Sequence, residues 1–332
     1  MTDITQLTAE LNAMILDERK RRGMTPTLPL GIHFGLAEDR YHADPGLGST
    51  DIRKLARNPP SYWYSSWMNP RRPADDPTPS QIRGTALHRL VYLGEDYFDQ
   101  HYICGPDQTG MSTGEKAQST KRANALAAET GRIALKIDDY ERVAICAAMI
   151  LKNPELSHVF HYGEPEVSII WEQRGVRCKA RIDYLKVRGL GDLKSCANPF
   201  DLDFPAACRR DIDRYAYHEQ ASWYMTARAQ MAGFVKAGLV HGSDYDPKWL
   251  DQVAACEEPG WAFVFYGIEG PPLTWSAVLS PRNPIIGKAR ASNAHGLDQY
   301  LRFLKDFGTE MWVLRERPQE LMMEEMPPWF AR

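Results

Sequence analysis

Hydrophobic positions along this chain change their spacing several times, and each change predicts a new element. Apolar residues recur every three or four positions in helices and every second position in half-buried strands. The helical spacing predicts helices over residues 4–22, 49–57, 80–93, 120–130, 137–152, 211–232 and 285–306. Alternation predicts strands over residues 166–172, 177–187, 191–195, 262–268 and 273–279. Consecutive strands set between helices are typical of an α+β fold with helices packed on a sheet.

Segments without periodicity separate these elements and indicate the domain organisation. Residues 24–48 are rich in Pro and Gly and are expected to form an extended connector, and residues 105–122 are expected to form a mobile loop. No sharp change in composition marks a domain boundary. We therefore expect an N-terminal helix and connector over residues 1–40, one main domain over 41–306, and a C-terminal tail over 307–332.

Composition narrows the class of protein. The 332 residues are 43% hydrophobic and 25% charged, which is ordinary usage for a chain that buries a globular core. No apolar run has membrane-spanning length and no signal peptide is present, so a soluble cytoplasmic protein with no membrane partner is expected. The formal charge of −3 restricts any nucleic-acid contact to a local groove. Six cysteines without CxxC spacing predict free thiols, not a zinc site or an iron–sulfur cluster.

Candidate chemistry concentrates on two predicted strands that a tight turn connects. In Asp192-Leu193-Lys194, residues two apart on a strand face the same side, so a carboxylate and an ammonium share one cleft. This pair suits phosphodiester hydrolysis, in which the carboxylate holds Mg²⁺ or Mn²⁺ and the lysine orients water or stabilises the phosphorus centre. Asp183, on the preceding strand, can approach Asp192 across the hairpin. Taken singly the tripeptide is more often a surface ion pair, but two close carboxylates favour a cation between them.

Two further groups are candidates for the same metal site. Glu166 opens the first strand of the sheet and is a candidate third carboxylate. Glu164 has the same parity along the strand, so the choice between the two glutamates stays open, and either can instead be a solvated edge charge. His88 lies on a predicted helix, where histidine usually serves packing, but a neutral imidazole also completes a divalent-metal site, especially for Mn²⁺.

A polar stripe follows on the next predicted helix. Gln220 and Tyr224 lie four residues apart, so they share one helix face, and Arg228 continues the same stripe. Side chains of these types can hydrogen-bond a DNA phosphate or the scissile group. On its own such a stripe is more often an ordinary polar helix face.

Taken in chain order, these residues resemble the RecE-type (exonuclease VIII-like) branch of the PD-(D/E)xK nucleases of phages and prophages. The resemblance rests on five motifs, Gly84…His88, Glu166, Asp183, Asp192-Leu193-Lys194 and Gln220…Tyr224. The segment 166–184 also resembles the central hairpin of that family, and 48–60 resembles the first helix of its core. The similarity extends over about residues 41–306.

This resemblance implies a restriction-endonuclease-like PD-(D/E)xK core, with a central mixed sheet flanked by helices. The implied ligands of Mg²⁺ (or Mn²⁺) are His88, Asp183, Asp192 and the backbone carbonyl of Leu193, with Glu166 bound directly or through water. Lys194 is the implied catalytic lysine. Gln220 and Tyr224 are implied to contact the DNA or to shape the site.

The same resemblance implies an exonuclease that digests double-stranded DNA from its ends, 5′ to 3′, in the cytoplasm of a bacterial host. A single-strand annealing protein would use the product in recombination, and the subunits would form a ring of three or four. Several basic residues are expected to line the DNA path, from the set Arg53, Lys54, Arg57, Arg71, Arg72, Lys116, Lys121 and Arg122. The alternatives are an endonuclease or single-strand DNA nuclease on the same core, a catalytically silent DNA-binding or assembly protein, and an α+β protein that is not a nuclease.

Overall fold

A seven-stranded mixed sheet forms the centre of the computed structural model, which describes residues 4–74, 76–243, 245–315, 317–318, 320–326 and 330. The strands are β1 (Gly31–His33), β2 (Tyr102–Cys104), β3 (Ile133–Leu135), β4 (Gly163–Gln173), β5 (Val176–Lys186), β6 (Gly189–Cys196), β7 (Val240–His241), β8 (Gly260–Gly267) and β9 (Thr274–Leu279). The order in the main sheet is β7-β1-β4-β5-β6-β8-β9, with parallel pairing at β7–β1 and β6–β8 and antiparallel pairing elsewhere. Strands β2 and β3 form a separate parallel pair.

Helices cover both faces of this sheet. They are α1 (Ile4–Arg21), α2 (Glu38–Ala43), α3 (Ser49–Arg57), α4 (Pro59–Ser65), α5 (Pro79–His101), α6 (Thr113–Glu129), α7 (Ile137–Leu151), α8 (Pro154–Ser157), α9 (Phe204–Arg214), α10 (Tyr217–Ala229), α11 (Met231–Ala237), α12 (Pro247–Ala255) and α13 (Pro284–Phe307). The predicted α+β class, with a central mixed sheet flanked by helices, is confirmed. In the part of the chain that the structure describes, no helix is long and apolar enough to cross a membrane.

The sheet separates two hydrophobic clusters. One cluster packs α3, α10 and α13 on the sheet, and within it the rings of Trp171 and Trp223 lie 5.1 Å apart. Trp223 also donates its indole N–H to the carbonyl of Lys179 at 3.1 Å, which ties α10 to β5. The second cluster packs α5 and α7 on the opposite face, with Leu87 and Val264 among its buried residues. Helices from both faces therefore reach the middle of the sheet.

The single helix predicted over residues 211–232 is wrong, because the structure has three helices there. Helix α9 ends at Arg214, and Ala216 has left-handed backbone angles (φ 51°, ψ 45°) before α10 begins. The sequence carries no glycine or proline at this break, and alanine rarely adopts the left-handed conformation. The local sequence therefore does not predict a helix end here. The turn changes the direction of the chain and brings α10 to the sheet.

Three other boundaries differ from the predictions. Residues 24–48 are not only a connector, since β1 pairs with β4 inside the main sheet. The loop predicted over residues 105–122 becomes α6 at Thr113, where Ser112 and Glu115 form a capping box that starts the helix. The helix predicted to stop at Gly94 kinks there (φ 83°) and continues to His101.

Candidate active site

The strands that carry the candidate residues separate from each other at the centre of the sheet. β5 and β6 pair over only three residues, the last pair being Tyr184 and Gly191. Beyond it β5 continues along β4 and β6 continues along β8. The same register places Asp183 opposite Asp192, at the point where the two strands part. The two carboxyl groups lie close enough there for each to affect the pKa of the other.

Asp192 is fully buried, and only one of its two carboxylate oxygens accepts a hydrogen bond. Its Oδ1 accepts hydrogen bonds from Lys194 Nζ at 2.7 Å and from Gln220 Nε2 at 3.3 Å. Its Oδ2 is buried and has no hydrogen-bond partner among the described residues. Burial raises the pKa of Asp192 to about 7, although the ammonium of Lys194 opposes the rise and Asp183 adds to it. A buried carboxylate with an unpaired oxygen is better satisfied by a further cation.

Lys194 lies on the same face of β6 as Asp192. Its ammonium is 5.2 Å from the centre of the Tyr217 ring, within range of a cation–π contact. Burial alone would lower the pKa of Lys194, but the carboxylates of Asp192 and Asp183 raise it above its ordinary value. The side chain therefore stays a charged ammonium at neutral pH.

His88 reaches this point from α5, on the other face of the sheet. Its Nδ1 lies 3.9 Å from Asp183 Oδ2, and the backbone carbonyl of Leu193 hydrogen-bonds the imidazole. Burial, and then the charge of Lys194, lower the pKa of His88 to about 4, so the ring is neutral and keeps a lone pair for a ligand. Burial also raises the pKa of Asp183, against the opposing charge of Lys194. The four groups predicted as metal ligands thus meet in one place.

Glu166 is more peripheral than these four groups. The β4–β5 register puts it opposite Asp183, between the pairs Pro165–Tyr184 and Val167–Ile182. Its backbone is left-handed (φ 52°), so the residue leaves the regular ladder. Its side chain is 46% exposed and lies 3.8 Å from Arg181. Glu166 therefore lies beside the site with its side chain partly in solvent. The choice between Glu166 and Glu164 as the third carboxylate stays open.

The predicted polar stripe divides into two parts. Gln220 contacts Asp192 directly, and the hydroxyl of Tyr224 shares a hydrogen bond with Gln220. Burial, followed by the charge of Asp183, raises the pKa of Tyr224 to about 12, so its hydroxyl stays protonated. Arg228 faces elsewhere: it is 2% exposed and donates to the carbonyls of Val187, at 3.3 Å, and Val253. Arg228 therefore does not share the surroundings of Gln220 and Tyr224.

Two tyrosines at the site were not predicted from the sequence. The Tyr92 ring lies 5.3 Å from His88, and burial and the charges of Asp183 and Asp192 raise the pKa of its hydroxyl. Tyr217 lies under Lys194. Their spacing was a usable signal, because Tyr92 is four residues after His88 and Tyr217 is three residues before Gln220 on the same helix.

The donor set fits a divalent cation by chemistry. It offers two carboxylates, a neutral imidazole and a backbone carbonyl, which are ligands that Mg²⁺ or Mn²⁺ accepts. The unpaired Oδ2 of Asp192 is the observation that favours a cation here. Within the described residues, however, no three His, Cys, Asp or Glu side chains are grouped closely enough to hold a metal ion. The identity of each ligand therefore stays a prediction.

Comparison with known proteins agrees with this part of the fold. Residues 84–237 match a family model described as a "PDDEXK-like domain of unknown function", and this range contains all the predicted site residues. A crystal structure described as a "putative exonuclease" from Eubacterium rectale superposes with a TM-score of 0.47 and 14% identity, over 81% of this chain and 86% of that one. No curated protein matches the chain. Residues 84–237 are therefore similar to a PDDEXK-like domain.

Proposed function

We propose that this protein is a metal-dependent DNA nuclease that hydrolyses phosphodiester bonds with a PD-(D/E)xK site. The observation that carries the proposal is the buried Asp192, which shares one oxygen with Lys194 and leaves the other unpaired. An unpaired buried carboxylate oxygen costs free energy, and a bound cation would remove that cost. The similarity of residues 84–237 to a PDDEXK-like domain supports the same proposal.

The residues divide the chemical work between them. Asp183, Asp192, His88 and the carbonyl of Leu193 would hold Mg²⁺ or Mn²⁺, which supplies charge neutralisation at the scissile phosphate and lowers the pKa of bound water. The ammonium of Lys194 would orient the attacking water and stabilise negative charge on the phosphate oxygens. Gln220 holds the carboxylate of Asp192 in place, because its amide donates to Oδ1. The protonated hydroxyl of Tyr224 can donate to a phosphate oxygen.

Among PD-(D/E)xK activities we propose an exonuclease that resects linear double-stranded DNA, 5′ to 3′, in recombination by strand annealing. The support is the RecE-type order of the motifs from His88 to Tyr224. An annealing partner and a ring of three or four subunits belong to this proposal. An endonuclease or single-strand nuclease remains the second candidate, because the metal chemistry is shared and the DNA path decides the substrate.

Two of the basic residues proposed for that path lie near the site. Arg53 donates to the carbonyl of Tyr215, two residues before Tyr217, and burial lowers the pKa of its guanidinium. Arg57 pairs with Glu219, with 3.1 Å between Arg57 Nη2 and Glu219 Oε1, and keeps 54% of its side chain exposed. The other expected path residues are surface cations on α3, α6 and the loop after α4, and their role in DNA binding stays a proposal.

Digestion of DNA labelled at one 5′ end tests the activity. We expect linear duplex to be degraded with Mg²⁺ or Mn²⁺ and preserved in chelator. A supercoiled circle of the same sequence should survive if the enzyme is an exonuclease and should be nicked if it is an endonuclease. Full preservation of linear, circular and single-stranded DNA with metal present contradicts the nuclease proposal.

A further inference from the structure

Two exposed aromatic side chains flank α9 and are each covered by an arginine of that helix. The Phe200 ring, in the loop between β6 and α9, is 67% exposed and has the Arg210 guanidinium 4.7 Å from its centre. Tyr215, just after α9, is 47% exposed and has the Arg214 guanidinium 5.5 Å from its centre. Arg210 and Arg214 are four residues apart, so they share one face of α9. Phe200, Arg210, Arg214 and Tyr215 therefore form one surface strip.

This aromatic strip connects directly to the catalytic lysine. The Tyr215 ring lies 5.5 Å from the Tyr217 ring, with 31° between their planes, and Tyr217 carries Lys194 at 5.2 Å. The left-handed turn at Ala216 separates the two tyrosines and leaves Tyr215 on the surface while Tyr217 points inward. Arg53 donates to the carbonyl of Tyr215 and so holds this turn from α3. Ala216 alone separates Tyr215, which belongs to the strip, from Tyr217, which contacts Lys194.

The strip keeps two aromatic rings partly in solvent, where a ligand can reach them. A left-handed alanine adds conformational strain, because that backbone region disfavours side chains with a Cβ. Aromatic rings with arginines beside them are the surfaces on which unpaired bases stack. The strip therefore combines accessible aromatic rings, neighbouring arginines and a strained backbone turn next to the candidate site.

We propose that the aromatic strip binds unpaired nucleotides of a DNA strand next to the scissile phosphate. This inference rests on the proposed nuclease function and specifies its substrate as a DNA end with a single-stranded segment, frayed or already resected. Tyr215 would stack the nucleotide nearest Lys194, and Phe200 would stack a nucleotide further along the strand. Both residues would position the strand and take no part in bond breaking.

Charged side chains of both signs accompany the two rings on α9. Asp211 and Asp213 lie on the same helix as the two arginines, and Arg210 Nη2 is 3.8 Å from Asp211 Oδ1. Asp211 is buried and pairs with Arg210, whereas Arg214 is exposed. Stacking depends little on salt, so binding to the strip should depend less on ionic strength than a purely electrostatic contact would.

Binding of a fluorescent oligothymidylate to the full chain in chelator tests the proposal without any cleavage. Tyr215→Ala and Phe200→Ala should each weaken binding by about 5- to 100-fold, the range expected for one lost base stack. Tyr215→Trp should bind within about twofold of wild type, because it keeps a stacking face. The matched control is Tyr162→Ala, which removes a 92% exposed tyrosine that lies just before β4.

The outcomes separate the strip from the nuclease proposal. Wild-type affinity in both alanine variants, or no oligonucleotide binding by the wild type, overturns the strip even if the protein cuts duplex DNA. Specific loss of binding in the two variants, in a protein that cuts no DNA with metal, supports the strip and overturns the nuclease. An equal loss in Tyr162→Ala also overturns the strip, because the effect then does not depend on its residues. Unchanged melting temperatures verify that the variants are folded.

Discussion

Replacing Asp192 with asparagine should make the metal-free protein more resistant to unfolding at alkaline pH. Asparagine has nearly the same shape as aspartate but cannot ionise, so Asp192→Asn removes the buried charge and keeps most of the packing. In the wild type this carboxylate is fully buried and has one unpaired oxygen. If Asp192 served stability, its replacement should not raise the free energy of unfolding. If Asp192 serves metal binding, its replacement can raise the free energy of unfolding of the metal-free protein.

The size of the effect follows from the pKa of Asp192. Burial raises that pKa from 3.8 to about 7 in the folded protein. A raised folded-state pKa means that the protonated carboxyl contributes stability at low pH, and that this contribution is lost as the pH rises through about 7. Each pKa unit corresponds to about 1.4 kcal/mol. Between about pH 8.5 and about pH 5.5, the wild type should therefore gain about 2 kcal/mol relative to the variant.

Urea denaturation in chelator, followed by circular dichroism at both pH values, measures this difference. We expect the variant to be the more stable protein at about pH 8.5, and its advantage to shrink by about 2 kcal/mol at about pH 5.5. Titrating groups that do not interact with Asp192 affect both proteins equally and cancel. A difference that does not change with pH, or a variant that is less stable at about pH 8.5, would refute the reasoning.

Three further predictions concern the same residues. Lys194→Ala should lower kcat by about 10²-fold or more while leaving the fold and DNA affinity in chelator largely unchanged, and equal loss of binding and cleavage would make Lys194 a phosphate anchor only. Because protons compete with metal at Asp192, Mn²⁺ should raise the melting temperature more at about pH 8 than at about pH 6, and a shift independent of pH would contradict this. His88→Ala should weaken Mn²⁺ binding about 10-fold or more in calorimetry, since it removes a neutral nitrogen ligand, and unchanged affinity would exclude His88 from the site.

Strand periodicity predicted the part of the fold that positions the carboxylates. Alternation located β4, β5 and β6, and a tight turn fixed the hairpin register that sets Asp183 opposite Asp192. Lys194 follows from that register, because residues two apart on a strand share a face. These features are local in sequence, which is why the pattern was sufficient.

Features decided by tertiary contacts were not predictable in the same way. The break at Ala216 has no turn residue, and it separates α9, which contacts β6 and β9, from α10, which contacts β4 and β5. Arg228 continues a polar helical stripe in the sequence, yet its guanidinium is buried against the carbonyls of Val187 and Val253. The position of β1 inside the main sheet depends on pairing with β4, more than 130 residues away. Such long-range pairing leaves little trace in a three-residue strand.

The central claim is that Asp192 belongs to a catalytic metal site, and paired digestion by wild type and Asp192→Asn tests it most directly. Both proteins would be incubated at equal concentration with end-labelled linear DNA, once with Mn²⁺ or Mg²⁺ and once with chelator. We predict metal-dependent degradation by the wild type and a loss of at least about 10²-fold in the folded variant. Equal degradation by the two proteins, or degradation that persists in chelator, would contradict the account.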